Sequence, residues 1–108
     1  MRNDFDIPGD LCPRAEKAAE AIVRLLGPDA SGGGCRAFYS PEEWRERGET
    51  YGRKSLLVLV HDGGDLARHC NYDYGDYKAV ERLAETLKPF DLYVEACTSW
   101  YSAVYPIY

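Results

Sequence analysis

Apolar and polar positions alternate along the chain in two different rhythms, and they change places more than once. The longest unbroken apolar run is Leu56 to Val60, preceded by Ser55 and closed by His61-Asp62-Gly63-Gly64. A run this short, aliphatic and β-branched, predicts a strand covered on both faces. It is the expected central strand of a small sheet. Upstream, Ala15, Ala18, Ala19, Ile22, Leu25 and Leu26 recur at helical spacing behind Pro13, which suits a first helical turn, and Gly27-Pro28 ends the pattern. Cys35 to Tyr39 reads as a short strand. Ser40-Pro41-Glu42-Glu43-Trp44 then carries a capping box, with Tyr39 and Trp44 at the two positions of a hydrophobic staple. The helix it starts ends near Gly48.

Beyond the central strand, Asp76 is placed to cap a helix whose buried stripe is Val80, Leu83, Ala84 and Leu87. Lys78, Glu81, Arg82 and Glu85 fall on its solvated side, and Lys88-Pro89 stops it. Asp91 to Cys97 alternates strictly, with Leu92, Val94 and Ala96 on one face. Thr98-Ser99-Trp100 turns the chain into a last strand, Tyr101 to Ile107. Pro106 cannot donate to a ladder, which predicts an edge position for this strand. The order α, β, short α, β, α, β, β implies a two-layer α+β domain. Its sheet should have about four strands, mixed or antiparallel, with helices mainly on one face.

The 108 residues suffice for one domain, expected to span residues 1–108, with residues 1–11 loosely ordered. No apolar run approaches the roughly 20 residues that span a membrane. Met1-Arg2-Asn3-Asp4 is not followed by an apolar stretch, so a cytoplasmic protein is expected. Cys12, Cys35, Cys70 and Cys97 form no Cys-x-x-Cys pair, and reduced, mostly buried thiols follow from the same compartment argument. The three glycines of Gly32 to Gly34 have no Lys-Ser/Thr behind them and read as a flexible connector rather than a phosphate cradle.

Charge sharpens the picture. The formal net charge is −5; residues 1–54 hold ten acids and nine bases, residues 55–108 eight acids and four bases. Without clustered Lys and Arg, direct nucleic-acid binding is not expected. The segment from Asp62 to Asp76 concentrates the unusual chemistry: Asp62, Asp65, Asp73 and Asp76 stand among Tyr72, Tyr74 and, just beyond, Tyr77. Tyrosine offers stiff amphipathic contact area, and spaced carboxylates imitate phosphates before a basic groove. These seven residues are the expected partner-binding set. Trp100, Tyr101, Tyr105 and Tyr108 add aromatics on the terminal hairpin. A sheet displaying aromatics suits RNA, but no RNP-type motif is present and the charge opposes it.

The same region supports a second reading. His61, Asp62, His69 and Cys70 combine imidazole, carboxylate and thiol, the groups of a small metal-dependent or hydrolytic enzyme. Their spacing matches no standard zinc pattern, and no nucleophile elbow, Walker loop or dinucleotide fingerprint occurs. Neither metal nor cofactor is therefore expected. In size, acidity and abundant tyrosine the chain resembles accessory proteins of phages and other mobile elements. Some of those, including certain anti-CRISPR proteins, block a nucleic-acid-binding complex. The resemblance is of composition alone and transfers no residue. It implies a non-enzymatic, acidic interaction protein that inhibits a basic, nucleic-acid-binding partner protein or complex.

Overall fold

A computed structural model of the chain describes residues 4–107. Residues 1–3 of the expected N-terminal segment and Tyr108 of the hairpin lie outside them. The elements are α1 (Pro13–Leu26), β1 (Phe38–Tyr39), α2 (Pro41–Arg47), β2 (Leu57–Val60), α3 (Ala67–Cys70), α4 (Tyr77–Leu87), β3 (Leu92–Ala96) and β4 (Tyr101–Pro106). Single 3₁₀ turns stand at Tyr72–Tyr74 and Lys88–Phe90. The sheet is antiparallel throughout, in the order β1-β2-β4-β3. This is the expected α+β domain, with α1, α3 and α4 on one face of the sheet and α2 on the other.

The two-faced burial of β2 organises the packing. Leu57 and Leu59 point to the helical face, where they meet Phe38, Ile22, Leu83, Leu87, Leu92 and Val104. Val58, one residue out of phase, points to the opposite face and joins Trp44 and Tyr101. Leu57, Val58 and Leu59 are all fully buried, because both faces of the sheet are covered and a strand sends successive side chains to opposite faces. Early in α1, Ala15, Ala18 and Ala19 are fully buried, and their small side chains let the helix approach closely.

The local signals upstream take the form their chemistry demands. Ser40 Oγ accepts from the Glu43 amide at 3.1 Å, and Glu43 Oε1 accepts from the Ser40 amide at 3.1 Å. Tyr39 and Trp44 meet in a tilted contact with ring centroids 5.1 Å apart. Arg36 adds an ion pair to Glu43 at 2.6 Å. Gly48 closes α2 in the left-handed conformation.

Four expectations are corrected. β4 is not an edge strand; it lies between β2 and β3. Even-numbered residues of β4 turn their backbone groups toward β2, as His61 N to Trp100 O shows. Pairing with β2 ends at Val104, so the N–H that Pro106 lacks falls beyond the ladder and costs no bond. Second, the segment from residue 4 to residue 11 is not loose. Phe5 and Leu11 are buried in the main core, and Asp4 O accepts from the Ala37 amide at 2.8 Å. Third, Ala84 is exposed and Val80 only half-buried, while Ala79 is buried, so the stripe of α4 is Ala79, Leu83 and Leu87, turned about the helix axis from the expected one. Fourth, only Cys70 among the four free cysteines is buried; Cys12 is exposed.

Leu83 is fully buried between α4 and the sheet. Leu83→Ala is expected to cost about 2–5 kcal/mol through lost burial and the cavity left behind. Urea unfolding measures it; a loss under about 0.5 kcal/mol would mean that the helix does not rest on the sheet through this residue.

Candidate functional site

The segment that follows β2 is built rather than slack. Gly63 and Gly64 take positive φ, and Gly64 lies against the loop of Ser31 to Gly34. A Cβ on Gly64 would run into the Ser31 carbonyl and the Gly32 carbonyl carbon; one on Gly33 would meet Gly64 N at 2.8 Å. The two glycine segments are therefore in backbone contact, which no other residue type allows. Asp65 ties them, and Asp4 ties the first to the N-terminal segment. Asp65 Oδ2 accepts from the Ser31 amide at 2.8 Å while Asp65 N donates to Ser31 O at 2.8 Å, and Asp4 Oδ2 accepts from the Gly32 amide at 3.1 Å. The triglycine stretch, expected as a flexible connector, is thus a docked loop.

Docking this loop sets the start of α3, a single turn whose Ala67, His69 and Cys70 are buried. His69 Nδ1 is 2.9 Å from Asp65 O. Asn71 then accepts from the Asp73 amide through its side chain, and the 3₁₀ turn Tyr72–Tyr74 closes at Gly75 in the left-handed conformation. Asp76 Oδ1 accepts from the Ala79 amide at 3.1 Å and caps α4.

This geometry divides the seven expected partner-binding residues. Tyr72, Tyr74 and Tyr77 are 61%, 57% and 66% exposed, the three most exposed large aromatic side chains among the described residues. Tyr72 and Tyr77 lie with ring centroids 6.2 Å apart. Asp62 and Asp73 are exposed as well. Asp65 and Asp76 are not free contacts: both are half-buried, one binding the glycine loop and the other capping a helix. Asn71 Nδ2 donates to Ser99 O at 3.4 Å, which places the β3–β4 turn beside the tyrosines. Of the hairpin aromatics, Tyr101 and Trp100 pack inward, and Tyr105 is half-buried against Tyr93. Tyr101 is buried with its hydroxyl accepting from the Tyr51 amide, and Trp100 packs on Tyr101 and Trp44.

The second set, His61, Asp62, His69 and Cys70, forms no open site. His61 is 2% exposed, and its Nε2 lies 2.9 Å from Ser102 Oγ. Burial pushes the His61 pKa down, only partly opposed by backbone hydrogen bonding and the charge of Asp62. Cys70 hydrogen-bonds the same serine, and burial pushes its thiol up to about 12, so it is not a thiolate nucleophile near neutral pH. Among the described residues, no group of three or more His, Cys, Asp and Glu converges as metal ligands do. Ser102, the group shared by His61 and Cys70, carries no mark in the sequence, where it is one position of an alternating strand.

No protein-family model, curated protein or solved structure matches the chain. Among the described residues, no helix is long and apolar enough to cross a membrane.

Two measurements follow from this geometry. Gly64→Ala and Gly75→Ala both place a side chain at positive φ, but only Gly64 meets backbone there; at Gly75 nothing lies within 4 Å. Gly75→Ala is expected to cost about 1–2 kcal/mol from backbone strain alone. Gly64→Ala should cost clearly more, and equal losses in urea unfolding would mean that the loop contact yields freely. The second concerns pH. His61 has a depressed pKa in the folded state, so below its ordinary value of 6.5 the unfolded chain takes up the proton first. Its contribution to stability is complete above pH 6.5 and is lost as pH falls toward the folded value. Glu43, held low mainly by its hydrogen bond to Arg36, adds a loss that begins only below its ordinary 4.5. Stability should therefore already decline between pH 6.5 and 4.5, and His61→Gln should flatten that window. An unchanged slope in the variant would remove His61 as its source.

Proposed function

We propose that this protein is a non-enzymatic interaction protein. Its surface for a basic partner is the segment of Asn71 to Tyr77, together with Asp62. The observation that supports this reading is the exposure of Tyr72, Tyr74 and Tyr77, large side chains more than half exposed on either side of the exposed Asp73 in the chain, with Asp62 exposed as well. A monomer in isolation gains nothing by presenting them to water. Against a partner, they supply aromatic anchors within an acidic rim. The built turns beneath them limit the ordering cost of binding, because Asn71, Gly75 and Asp76 already fix the backbone. A partner that binds nucleic acid through lysine and arginine meets the charge requirement. Occupying such a groove would make the protein an inhibitor of that partner.

The test is a pull-down followed by surface binding at two salt concentrations. Asp62→Asn with Asp73→Asn changes exposed carboxylates that neither cap a helix nor bind the glycine loop through their side chains, so the fold should be retained. This variant should associate more slowly and with a weaker salt dependence. Tyr74→Ala should instead dissociate faster, at a cost of about 1–3 kcal/mol for an anchor. Parental binding by both variants would rule out this surface.

A further inference from the structure

The face of the sheet away from the helical core is only partly covered. Side chains alternate along β4, so Tyr101, Ala103 and Tyr105 share this face with Val58 of β2. α2 brings Trp44 onto Val58 and Tyr101, and the loop at Gly52 comes against Ala103. Beyond them the face opens. Tyr93 pairs with Tyr105, and Glu95 with Ala103, which puts Tyr93 and Glu95 on the same side. Tyr93 is 44% exposed, Glu95 is exposed and Tyr105 is half-buried. The two tyrosine rings lie with centroids 5.8 Å apart and planes at 31°. Burial first, then Cys97 and Glu95, push the Tyr105 hydroxyl up, so the Glu95 carboxylate acts directly on this pair.

The covered end of the same face shows what such a set of groups holds. The Arg36 guanidinium carbon lies 4.2 Å from the centroid of the Tyr39 ring, and Arg36 pairs with Glu43 at 2.6 Å. Arg47 lies 5.3 Å from the Tyr39 centroid and 4.9 Å from that of Trp44, and it pairs with Glu49 at 3.4 Å. Each guanidinium rests on an aromatic ring while a glutamate meets its charge. Tyr93, Tyr105 and Glu95 repeat the set of ring and carboxylate. Among the described residues, no ion pair or cation–ring contact uses them.

We propose that Tyr93, Tyr105 and Glu95 form a binding site for an arginine side chain of a partner protein, its guanidinium flat on the rings and its charge met by the Glu95 carboxylate. A planar guanidinium stacks on a ring and donates within its own plane, which a lysine ammonium cannot do together. Arg36 does both at Tyr39 and Glu43. An open sheet face with one carboxylate encloses too little of a free small molecule to hold it. The arginine therefore arrives on a protein that makes further contacts around it. This inference does not rest on the surface at Asn71 to Tyr77.

The probe is a capped glycine–arginine–glycine peptide, titrated into the intact protein while tyrosine ring resonances are followed by NMR. Two controls accompany it: the same peptide with citrulline, which keeps the shape and removes the charge, and the same peptide with lysine. The arginine peptide should shift the Tyr93 and Tyr105 ring resonances saturably, with contacts from its side-chain methylenes to those rings. The lysine peptide should bind several-fold more weakly, and the citrulline peptide should not saturate. Glu95→Gln changes an exposed carboxylate that no ion pair uses, so the fold should be retained. It should weaken the arginine peptide about two- to fivefold, and Tyr93→Leu should do so by a similar factor. Should Tyr93→Leu fail to fold, Glu95→Gln decides alone. Asp62→Asn with Asp73→Asn should leave the ring shifts unchanged. Absence of saturable shifts at the two rings, equal binding of either control peptide, or parental binding by Glu95→Gln would overturn the proposal. So would a parental dimer in sedimentation that Glu95→Gln converts to monomer, since the arginine would then come from a second copy.

Discussion

Everything in this fold depends on a four-residue strand buried on both faces. Leu57 and Leu59 join the helical core, and Val58 joins the aromatic one. A shift of one residue in the register of β2 would exchange the two sets, because side chains alternate with a period of two. The pairings that hold the register are spread over the sheet, with Phe38 opposite Leu59 on one side and Ser102 opposite it on the other. The aromatic core is small but tightly specified: Trp44 meets Tyr39, Trp100 and Tyr101 at centroid distances of 4.8–5.8 Å, and its indole N–H donates to Tyr51 O. That donation satisfies the one polar atom that burying the indole would otherwise leave unpaired.

The second constraint is the contact between two glycine segments. Ser31 to Gly34 and Gly63 to Asp65 touch backbone to backbone and are tied by Asp65, while Asp4 holds Gly32 from the N-terminal segment. Their docking turns the chain from the end of β2 into α3, and from there into the turn that exposes Tyr72 and Tyr74. The rigidity of the proposed recognition surface therefore originates away from it. Two of the aspartates that make this segment acidic are spent on its internal structure, and the outward charge falls to Asp62 and Asp73. The buried His61, Ser102 and Cys70 lie beneath the same region and link β2, β4 and α3 as packing and hydrogen-bonding groups.

What was legible in the sequence was whatever depends on neighbouring residues alone. The capping box at Ser40, the staple of Tyr39 and Trp44, the cap at Asp76, the two long helices and the apolar run of β2 all follow from spacing along the chain, and with them the α+β class. That some tyrosines lie at the surface was also foreseeable, since nine exceed what a core of this size can bury with partners for each hydroxyl; that Tyr72, Tyr74 and Tyr77 are among them was not. Tertiary structure decided the rest. Whether Pro106 can sit in a central strand depends on where β2 begins relative to it, a matter of register between segments about fifty residues apart. Whether Gly32 to Gly34 is slack or docked depends on Gly64 and Asp65, about thirty residues further on. Whether an aspartate faces a partner or an amide depends on which amide the fold brings within reach. Local patterns fix backbone preferences because their partners are adjacent in the chain, whereas these contacts exist only once distant segments have met.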